Sequence, residues 1–326
     1  MADTASPQVA GNRTPAKTKP ISPGSSNPRL GIILRVTSGL LLSLMTLCVK
    51  LASDGIGLGQ IVFFRSVFAM IPLIIFLMVR KEFPAGLKTR RPFGHLIRSG
   101  FGTASMFASF AAVSRLPLAE STLIGYATPI VSTILGGILL GEAVTRSRVT
   151  GLVLGVAGVV SLTLPEMLGT GASGASRLAG YGLGLLAAVF SSIAYIQMRR
   201  LGTTESPGSI ALYFVLVSTL ASLPTAIPNW VTPEPGQLFI LILAGLLGGF
   251  AHIAMTLAFR YAEVSLLAPF EYLTLLWAGS IDLLFLGTPL GPTFFIALPL
   301  LLLGAGVSGG LFKKRRSRRS ARAAGP

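Results

Sequence analysis

The stretch LPLAESTLIGYATPIVSTILGGILLGE, residues 116–142, has a counterpart in AEVSLLAPFEYLTLLWAGSIDLLFLGT, residues 262–288. Both stretches are apolar over similar lengths, and Tyr126 in the first corresponds to Tyr272 in the second, an offset of 146 residues. The same offset relates further pairs along the two halves, namely Ala112 and Ala258, Thr128 and Thr274, Gly141 and Gly287, and Gly158 and Gly304. A fixed offset maintained over this distance predicts an internal repeat.

Ten apolar runs are long enough to cross a hydrocarbon core of about 30 Å, which takes roughly 20 helical residues. They lie at 30–49, 56–79, 95–113, 119–140, 148–164, 180–198, 208–228, 237–257, 264–285 and 291–311. Each half holds five runs, and an odd number of spans ends on the face opposite to its start. The second half must therefore enter the membrane from the other side. The sequence predicts an all-α integral membrane protein of ten transmembrane helices, arranged as two inverted five-helix repeats.

Composition excludes several other classes of protein. Of the 326 residues, 52% are hydrophobic and only 12% are charged, which does not suit a soluble globular protein. Cys48 is the single cysteine, so neither a disulfide framework nor a zinc cluster is expected. The sequence has no phosphate-binding loop that ends in Lys-Ser or Lys-Thr, so ATP is not expected as the direct energy source. We expect no cofactor, no metal and no enzyme active site; an intramembrane enzyme is the alternative from another class.

The net charge of +16 is placed unevenly along the chain. If the N-terminus is cytoplasmic, the opposite loops hold only Arg115 and Arg177. The cytoplasmic segments then hold Arg13, Lys17, Lys19, Arg29, Arg35, Arg80, Lys81, Lys88, Arg90, Arg91, Arg98, Arg146, Arg148, Arg199, Arg200, Arg260 and the run 313–322. This asymmetry follows the positive-inside rule and predicts that both termini are cytoplasmic. The charge therefore indicates contact with the lipid bilayer, not with nucleic acid.

The chain divides into five parts by composition. We predict a disordered cytoplasmic tail at 1–29, a first five-helix repeat at 30–165, a flexible periplasmic linker at 166–179, a second repeat at 180–312 and a basic cytoplasmic tail at 313–326. Glycines at 151, 155, 158, 245, 248, 249, 304 and 306 lie on helix faces. Small residues let helices approach closely in lipid, so we expect packing within one subunit, with a dimer face as the alternative.

Ionisable groups deep in a span are costly and need a reason. Arg65 could hold an anionic group of a substrate or form a buried pair with a carboxylate. Glu271 could carry a coupling proton or be the permanent partner of an arginine. His252 could relay protons or make a structural hydrogen bond to a backbone carbonyl. Asp282 and Glu120 lie towards the outer ends of their helices, where we expect a solvated rim.

Aromatic and proline residues point to the lining of a cavity. Tyr126, Tyr195, Tyr272 and Trp277 could stack on a planar substrate or serve only in packing. Pro129 and Pro269 lie in corresponding helices of the two halves, and a proline inside a span breaks the helix where the freed carbonyl faces protein or a wet cavity.

Several local sequences resemble the EamA branch of the drug/metabolite transporter superfamily. They are Phe64-Arg65 with Ala69, the stretch 116–129 leading into Leu140-Gly141-Glu142, and Arg260-Tyr261-Ala262-Glu263 leading into 268–272. The resemblance covers about 31–312. In the second repeat the corresponding place reads Leu286-Gly287-Thr288, without the glutamate that follows Gly141. Glu142 is therefore not expected to belong to a symmetric coupling pair.

The resemblance implies a secondary carrier of a small organic metabolite in the bacterial inner membrane, working by alternating access around a central cavity. The strings at 90–95 and 268–272 look like a subgroup that includes riboflavin transporters, so riboflavin uptake is the first expectation. Export of an amino acid, a metallophore or another small amphipathic metabolite is the alternative. The direction of transport, the coupling to protons and the oligomeric state remain open at this point.

Overall fold

The structure is a computed structural model that describes residues 27–84, 89, 91–140, 146–168, 172–201, 204–261, 267, 270 and 273–308. These residues form helices and no strands. The helices are α1 (Pro28–Ala52), α2 (Leu58–Val79), α3 (Pro92–Val113), α4 (Leu118–Gly125), α5 (Ala127–Leu140), α6 (Arg146–Leu168), α7 (Ala172–Leu201), α8 (Pro207–Ala226), α9 (Pro235–Tyr261), α10 (Leu273–Leu284) and α11 (Pro292–Ser308). A 3-10 turn at Ile227–Asn229 follows α8.

Six helical segments are long and apolar enough to cross a membrane. They are Pro28–Ala52, Leu58–Val79, Pro92–Val113, Gly174–Met198, Gly208–Asn229 and Pro235–Ala258. Val149–Pro165, Leu273–Leu284 and Pro292–Gly304 are shorter apolar helices. The predicted run 119–140 is divided at Tyr126 into α4 and α5. The helical class is therefore confirmed, whereas the count of ten spans stays a prediction.

The helix contacts are symmetric between the two halves: when each helix is replaced by its counterpart in the other half, packed pairs correspond to packed pairs. Adding 146 to the residue numbers brings α1, α2, α3 and α6 onto α7, α8, α9 and α11, and α5 onto α10. The packed pair α1 and α9 then becomes the packed pair α7 and α3, and α2 with α9 becomes α8 with α3. The pairs α2 with α8 and α6 with α11 each join corresponding helices. This arrangement is that of two repeats related by an approximate two-fold axis.

Contacts between individual residues of α6 and α11 show the same symmetry between the halves. A methyl group on Gly304 would lie 2.8 Å from both Gly151 O and Gly155 N, and a methyl group on Gly158 would lie 2.6 Å from the Leu301 side chain. Gly158 corresponds to Gly304, and Gly155 corresponds to Leu301. The contact of Gly304 with Gly155 and the contact of Gly158 with Leu301 are therefore equivalent under the two-fold axis. These glycines serve helix packing inside the chain.

Helical residues occupy both ends of the junction between the halves. A flexible linker at 166–179 was expected, yet α6 continues to Leu168 and α7 begins at Ala172, with residues 169–171 outside the described ranges. A salt bridge fixes the start of α7: Arg177 donates to both carboxylate oxygens of Glu120 at 3.0 and 2.9 Å. At the N-terminus, α1 already begins at Pro28, where the Asn27 side chain accepts the Leu30 N–H. Residues 1–26 of the predicted N-terminal tail (1–29) and the whole predicted C-terminal tail (313–326) lie outside the described residues.

Candidate functional site

Arg65 lies on α2, about 10 Å along the helix from its first residue. Its side chain is 3% exposed, so the guanidinium is enclosed by neighbouring helices. Glycines on α9 make the room for it. A methyl group on Gly248 would lie 3.2 Å from Arg65 Nη2 and 3.3 Å from Nε, and a methyl on Gly245 would lie 3.0 Å from the Arg65 carbonyl oxygen. The glycine-rich stretch of α9 therefore seats the arginine as well as packing the helix.

Arg65 and His252 meet across the repeat interface. Arg65 Nη2 lies 3.3 Å from His252 Nε2. A guanidinium has only donors, so the imidazole Nε2 must accept this bond, and the ring is then neutral with its proton on Nδ1. Among the described residues, the His252 ring makes no hydrogen bond to a backbone carbonyl, the structural role considered for it. The His252 ring instead contacts the buried cation.

Two donor atoms of Arg65 have no partner among the residues that the structure describes. These atoms are Nε and Nη1, and both are buried. Glu271, the carboxylate considered as a permanent partner, lies outside the described residues, as does Tyr272. A buried donor without an acceptor is costly, so these two atoms make Arg65 a candidate for binding an acceptor.

Arg98 is a second cation with buried donor atoms, which the sequence analysis counted only among the cytoplasmic charges. It lies on α3, and its Cζ is 4.4 Å from the centre of the Phe214 ring, a cation–π contact. Its Nε and Nη1 are buried and have no partner in the described part of the chain. Arg35, counted in the same way, is also buried, on α1. Distance from the end of a span does not reveal this burial, because only the packed neighbours decide it.

The helix break at Tyr126 borders a cavity of about 230 Å³. Its lining residues are Thr122, Gly125, Tyr126, Thr128, Pro129 and Tyr195. Pro129 cannot donate to the Gly125 carbonyl, which helps to explain why α4 and α5 separate here. On the second repeat, α10 begins at Leu273, which corresponds to Ala127 at the start of α5. Two of the predicted aromatic residues, Tyr126 and Tyr195, are thus brought together at one cavity.

Trp277 stands apart from this pair. It lies on α10, which packs against α1 and α4, and it is not among the residues that line the cavity. Its indole Nε1 is buried and has no partner among the described residues. Trp277 therefore does not share the cavity that Tyr126 and Tyr195 line.

Asp282 and Glu120 do not form a solvated rim, so that expectation was wrong. Asp282 is fully buried, and its two oxygens accept the N–H groups of Leu118 at 2.9 Å and of Ala119 at 2.7 Å. Glu120 is 2% exposed and accepts from Arg177 and from the Tyr181 hydroxyl at 2.5 Å. Both carboxylates are enclosed because the start of α4 is covered by α10 on one side and α7 on the other.

Lys50 also belongs to this outer end of the bundle. Its Nζ donates to the carbonyl oxygens of Val113 at 3.0 Å and Leu116 at 2.5 Å, where α3 ends. It is thus a C-terminal cap for α3. Within the described ranges no group of three or more His, Cys, Asp and Glu residues could hold a metal ion.

The fold and this site define a multi-pass helical membrane protein whose buried polar groups meet where two repeats join. A model of the EamA-like transporter family matches residues 29–164 and again residues 178–309. The chain belongs to the EamA-like transporter family, and this confirms the resemblance seen in the sequence.

Individual relatives carry named functions. The chain is 28% identical over 245 residues to the pseudopaline exporter CntI of Pseudomonas aeruginosa (strain UCBPP-PA14), covering 74% of this chain and 83% of the exporter. It is 26% identical over 220 residues to the S-adenosylmethionine uptake transporter of Rickettsia prowazekii (strain Madrid E), covering 66% of this chain and 70% of that transporter. A crystal structure with a TM-score of 0.63 and 20% identity covers 89% of this chain and all of its own, which shows the fold alone.

Proposed function

We propose that this chain is a secondary transporter that moves a small organic metabolite with an anionic group across the bacterial inner membrane. The observation that carries the proposal is Arg65, a buried cation with two hydrogen-bond donors left open at the repeat interface. In secondary transporters built from inverted repeats, the substrate site lies at that interface. A carboxylate would satisfy the donors and neutralise the charge.

The cavity beside Tyr126 supplies the apolar part of such a site. Tyr126 and Tyr195 offer two aromatic faces, and the helix break offers backbone groups that are not used within α4 or α5. A metabolite with an apolar body and a charged end would use the aromatic walls for its body and the Arg65 guanidinium for its charge.

The symmetric packing supports alternating access as the mechanism. Helices α2 with α8 and α6 with α11 pair corresponding elements across the axis, so one half can tilt against the other while these contacts remain. We propose ten spans with both termini cytoplasmic, in which the predicted run 119–140 crosses the membrane as the broken pair α4 and α5. The Lys and Arg distribution gives the orientation.

Proton coupling is proposed through His252 and Glu271. Protonation of His252 removes the lone pair that accepts from Arg65, and it places two positive charges side by side. The histidine and the anion site are thus linked, since an anion bound to Arg65 would offset the added charge. Glu271 is the second candidate proton carrier, by its depth in the ninth predicted span.

The named relatives differ in their substrates and in the direction of transport. One relative is an exporter of pseudopaline and another takes up S-adenosylmethionine, so direction does not follow from the family. Export of a metallophore or an amino acid agrees with the first of these relatives. Riboflavin uptake has no support from either named relative, and we propose the anionic metabolite in its place.

The test uses the purified chain in liposomes. Entrance counterflow is measured with labelled amino acids, an aminocarboxylate metallophore and riboflavin, each acid being compared with its methyl ester. We expect counterflow of acids but not of esters, and loss of the acid signal in Arg65→Ala. Arg146→Ala, which removes an exposed arginine at the start of α6, is the matched control.

Two results would count against the proposal. Equal counterflow of acid and ester would mean that no anionic group is recognised. Riboflavin counterflow without any acid counterflow would mean that the chain transports riboflavin and not an anionic metabolite.

A further inference from the structure

The start of α3 meets the second half of the chain around His95. The His95 ring is 1% exposed, and its centre lies 4.4 Å from the centre of the Tyr213 ring on α8. Its Nε2 is 3.7 Å from Oε2 of Glu205, in the connector that leads into α8. The other carboxylate oxygen of Glu205 accepts a hydrogen bond from Thr89 Oγ1 at 2.9 Å. These four residues, here called the His95 cluster, therefore join the first half of the chain to the second at one end of the bundle.

The helix ends beside the His95 cluster are closely packed. A methyl group on Gly94 would lie 2.9 Å from the side chain of Leu201, the last residue of α7, and Leu201 is 2% exposed. A methyl group on Gly208, near the start of α8, would meet the side chain of Leu77 near the end of α2. This end of the bundle is therefore closed in the structure. In a transporter that works by alternating access, these contacts between the halves must break when the site opens to this side.

The opposite end of the bundle has a corresponding contact made of neutral groups. Gln60, near the start of α2, donates from Nε2 to the Val231 carbonyl oxygen at 2.6 Å and accepts the Val231 N–H at 3.1 Å. Val231 lies between α8 and α9, just as Thr89 lies between α2 and α3. Amide and backbone groups do not titrate. The contact at the opposite end is therefore insensitive to pH, whereas the His95 cluster contains an imidazole.

The closed cluster favours a neutral His95 ring. Neither ring nitrogen has a hydrogen-bond partner in the described part of the chain, and 3.7 Å is too long for a hydrogen bond to Glu205. A neutral ring leaves one N–H without an acceptor, whereas an imidazolium would leave two and would place a charge in an enclosed site. Glu205 offsets part of that charge, and Arg98, three residues further along the same helix face, opposes it. Water at an opened end would instead solvate the imidazolium.

His95 is the group at this end whose charge changes near neutral pH. The elements that pack against α3 supply the other charged and titratable groups, which are Glu205 and Tyr213 before and on α8, Arg200 on α7, the Arg80–Glu82 salt bridge after α2, Arg35 on α1, and Arg91 and Arg98 at the start of and on α3. Lys88, Arg90 and the Arg199 side chain lie outside the described residues. Arginine, glutamate and tyrosine ordinarily keep one protonation state between about pH 5 and about pH 8, where histidine changes its own.

We infer that His95 is a proton-binding site that controls this end of the bundle. His95 takes up a proton from water when α3 and the start of α8 separate, and it returns the proton to water when they close. Acid therefore favours the open end, and alkali favours the closed end. This inference rests on the alternating access of the proposed function, whose orientation places the His95 end at the cytoplasm. It adds a third proton-carrying residue to His252 and Glu271.

The experiment measures how fast a reporter thiol at this end reacts with a maleimide, in the purified full chain in detergent. Cys48→Ala first removes the single native cysteine. Leu201→Cys then places a thiol where Gly94 covers it, and Thr204→Cys, in a separate protein, places one at an exposed position nearby. Dividing the first rate by the second corrects for the direct effect of pH on thiol reactivity. We expect this ratio to rise roughly threefold or more between about pH 8 and about pH 5.5.

Two variants of His95 test the assignment in different ways. His95→Gln keeps a polar side chain, and His95→Phe keeps a ring against Tyr213, so that one serves if the other does not fold. Each should abolish the rise in the labelling ratio. Glu205→Gln keeps an acceptor for Thr89 but removes the charge, and the rise should persist because His95 still titrates. Gln60→Ala is the matched control at the opposite end, where a neutral contact is lost, and it should leave the rise intact.

Several outcomes would overturn the inference. They are a parent without any rise, a rise that persists in both His95 variants, and a rise that is lost in Glu205→Gln, which would make Glu205 the proton site. A ratio that falls in acid would mean that protonated His95 pairs with Glu205 and tightens the closed end. The labelling uses no substrate, so its failure leaves the test of acid counterflow untouched. A His95-dependent rise without acid counterflow would contradict only the proposed substrate class.

Discussion

Asp282 caps the helix that starts at Leu118, although the two residues belong to different halves of the chain. The carboxylate accepts the N–H groups of Leu118 and Ala119 at 2.9 and 2.7 Å, inside a fully buried environment. The first N–H groups of a helix have no partner within the helix, and a carboxylate satisfies both their hydrogen bonds and the positive end of the helix dipole. This contact ties α10 of the second repeat to α4 of the first.

The first prediction concerns this cap. Asp282→Asn retains the size of the side chain but removes its charge and one of its two acceptor oxygens. We expect a loss of about 1–3 kcal/mol in the free energy of unfolding, measured as a lower midpoint of thermal unfolding in detergent. Asp54→Asn, at an exposed position near the end of α1, is the matched control and should be close to neutral. An unchanged midpoint in Asp282→Asn would mean that the buried cap adds nothing to stability.

The second prediction concerns the closest approach of two helices. A methyl group on Gly304 would meet the backbone of α6 at 2.8 Å, and backbone atoms cannot move aside as a side chain does. Gly304→Ala should therefore destabilise the chain by roughly 1–3 kcal/mol. Gly182→Ala is the control, because nothing lies within 4 Å of its new methyl group and alanine favours the helix. Equal stability of the two variants would contradict the tight α6–α11 contact.

The third prediction concerns the chemistry at Arg65. Arg65→Lys keeps a positive charge at the site but replaces two fixed donors by one mobile ammonium. If the guanidinium binds a carboxylate by its planar edge, transport should fall at least tenfold while the folded fraction is unchanged, as judged by size-exclusion chromatography. Full transport by Arg65→Lys would mean that the site requires a positive charge but not the planar edge of a guanidinium.

The fourth prediction concerns orientation in the membrane. Reporter fusions at positions 172 and 233 should report the periplasm, and fusions at 88, 203 and 318 should report the cytoplasm. The reason is that Lys and Arg concentrate in the segments assigned to the cytoplasm. A periplasmic signal from position 318 would contradict both the ten spans and the inverted repeats.

The fifth prediction concerns coupling. If Glu271 exchanges a proton during transport, Glu271→Gln should abolish accumulation against a gradient and leave downhill counterflow in place, because the amide keeps the shape but does not titrate. A protonophore should have the same effect on the parent. Asp282→Asn is not a test of coupling, since the structure gives that carboxylate a capping role. Undiminished accumulation by Glu271→Gln would move the coupling role to another group.

Much of the fold could be predicted from the order of residues alone. Span length is a property of consecutive residues, so apolar runs such as 56–79 coincide closely with helices such as α2. The repeat offset is also visible in one dimension, and the pairing of Gly158 with Leu301 and of Gly304 with Gly155 agrees with it in space. Arg65 could be singled out because a charge deep within a span is costly wherever the helix is placed.

Which polar groups meet was decided only by the tertiary structure. Leu118 and Asp282 are 164 residues apart, and no local pattern links them. Arg98 resembles an ordinary cytoplasmic charge until Phe214 and Gly102 are seen beside it. The reason is geometric. Sequence determines how far along a helix a residue lies, whereas the rotation and tilt of packed helices determine what its side chain faces.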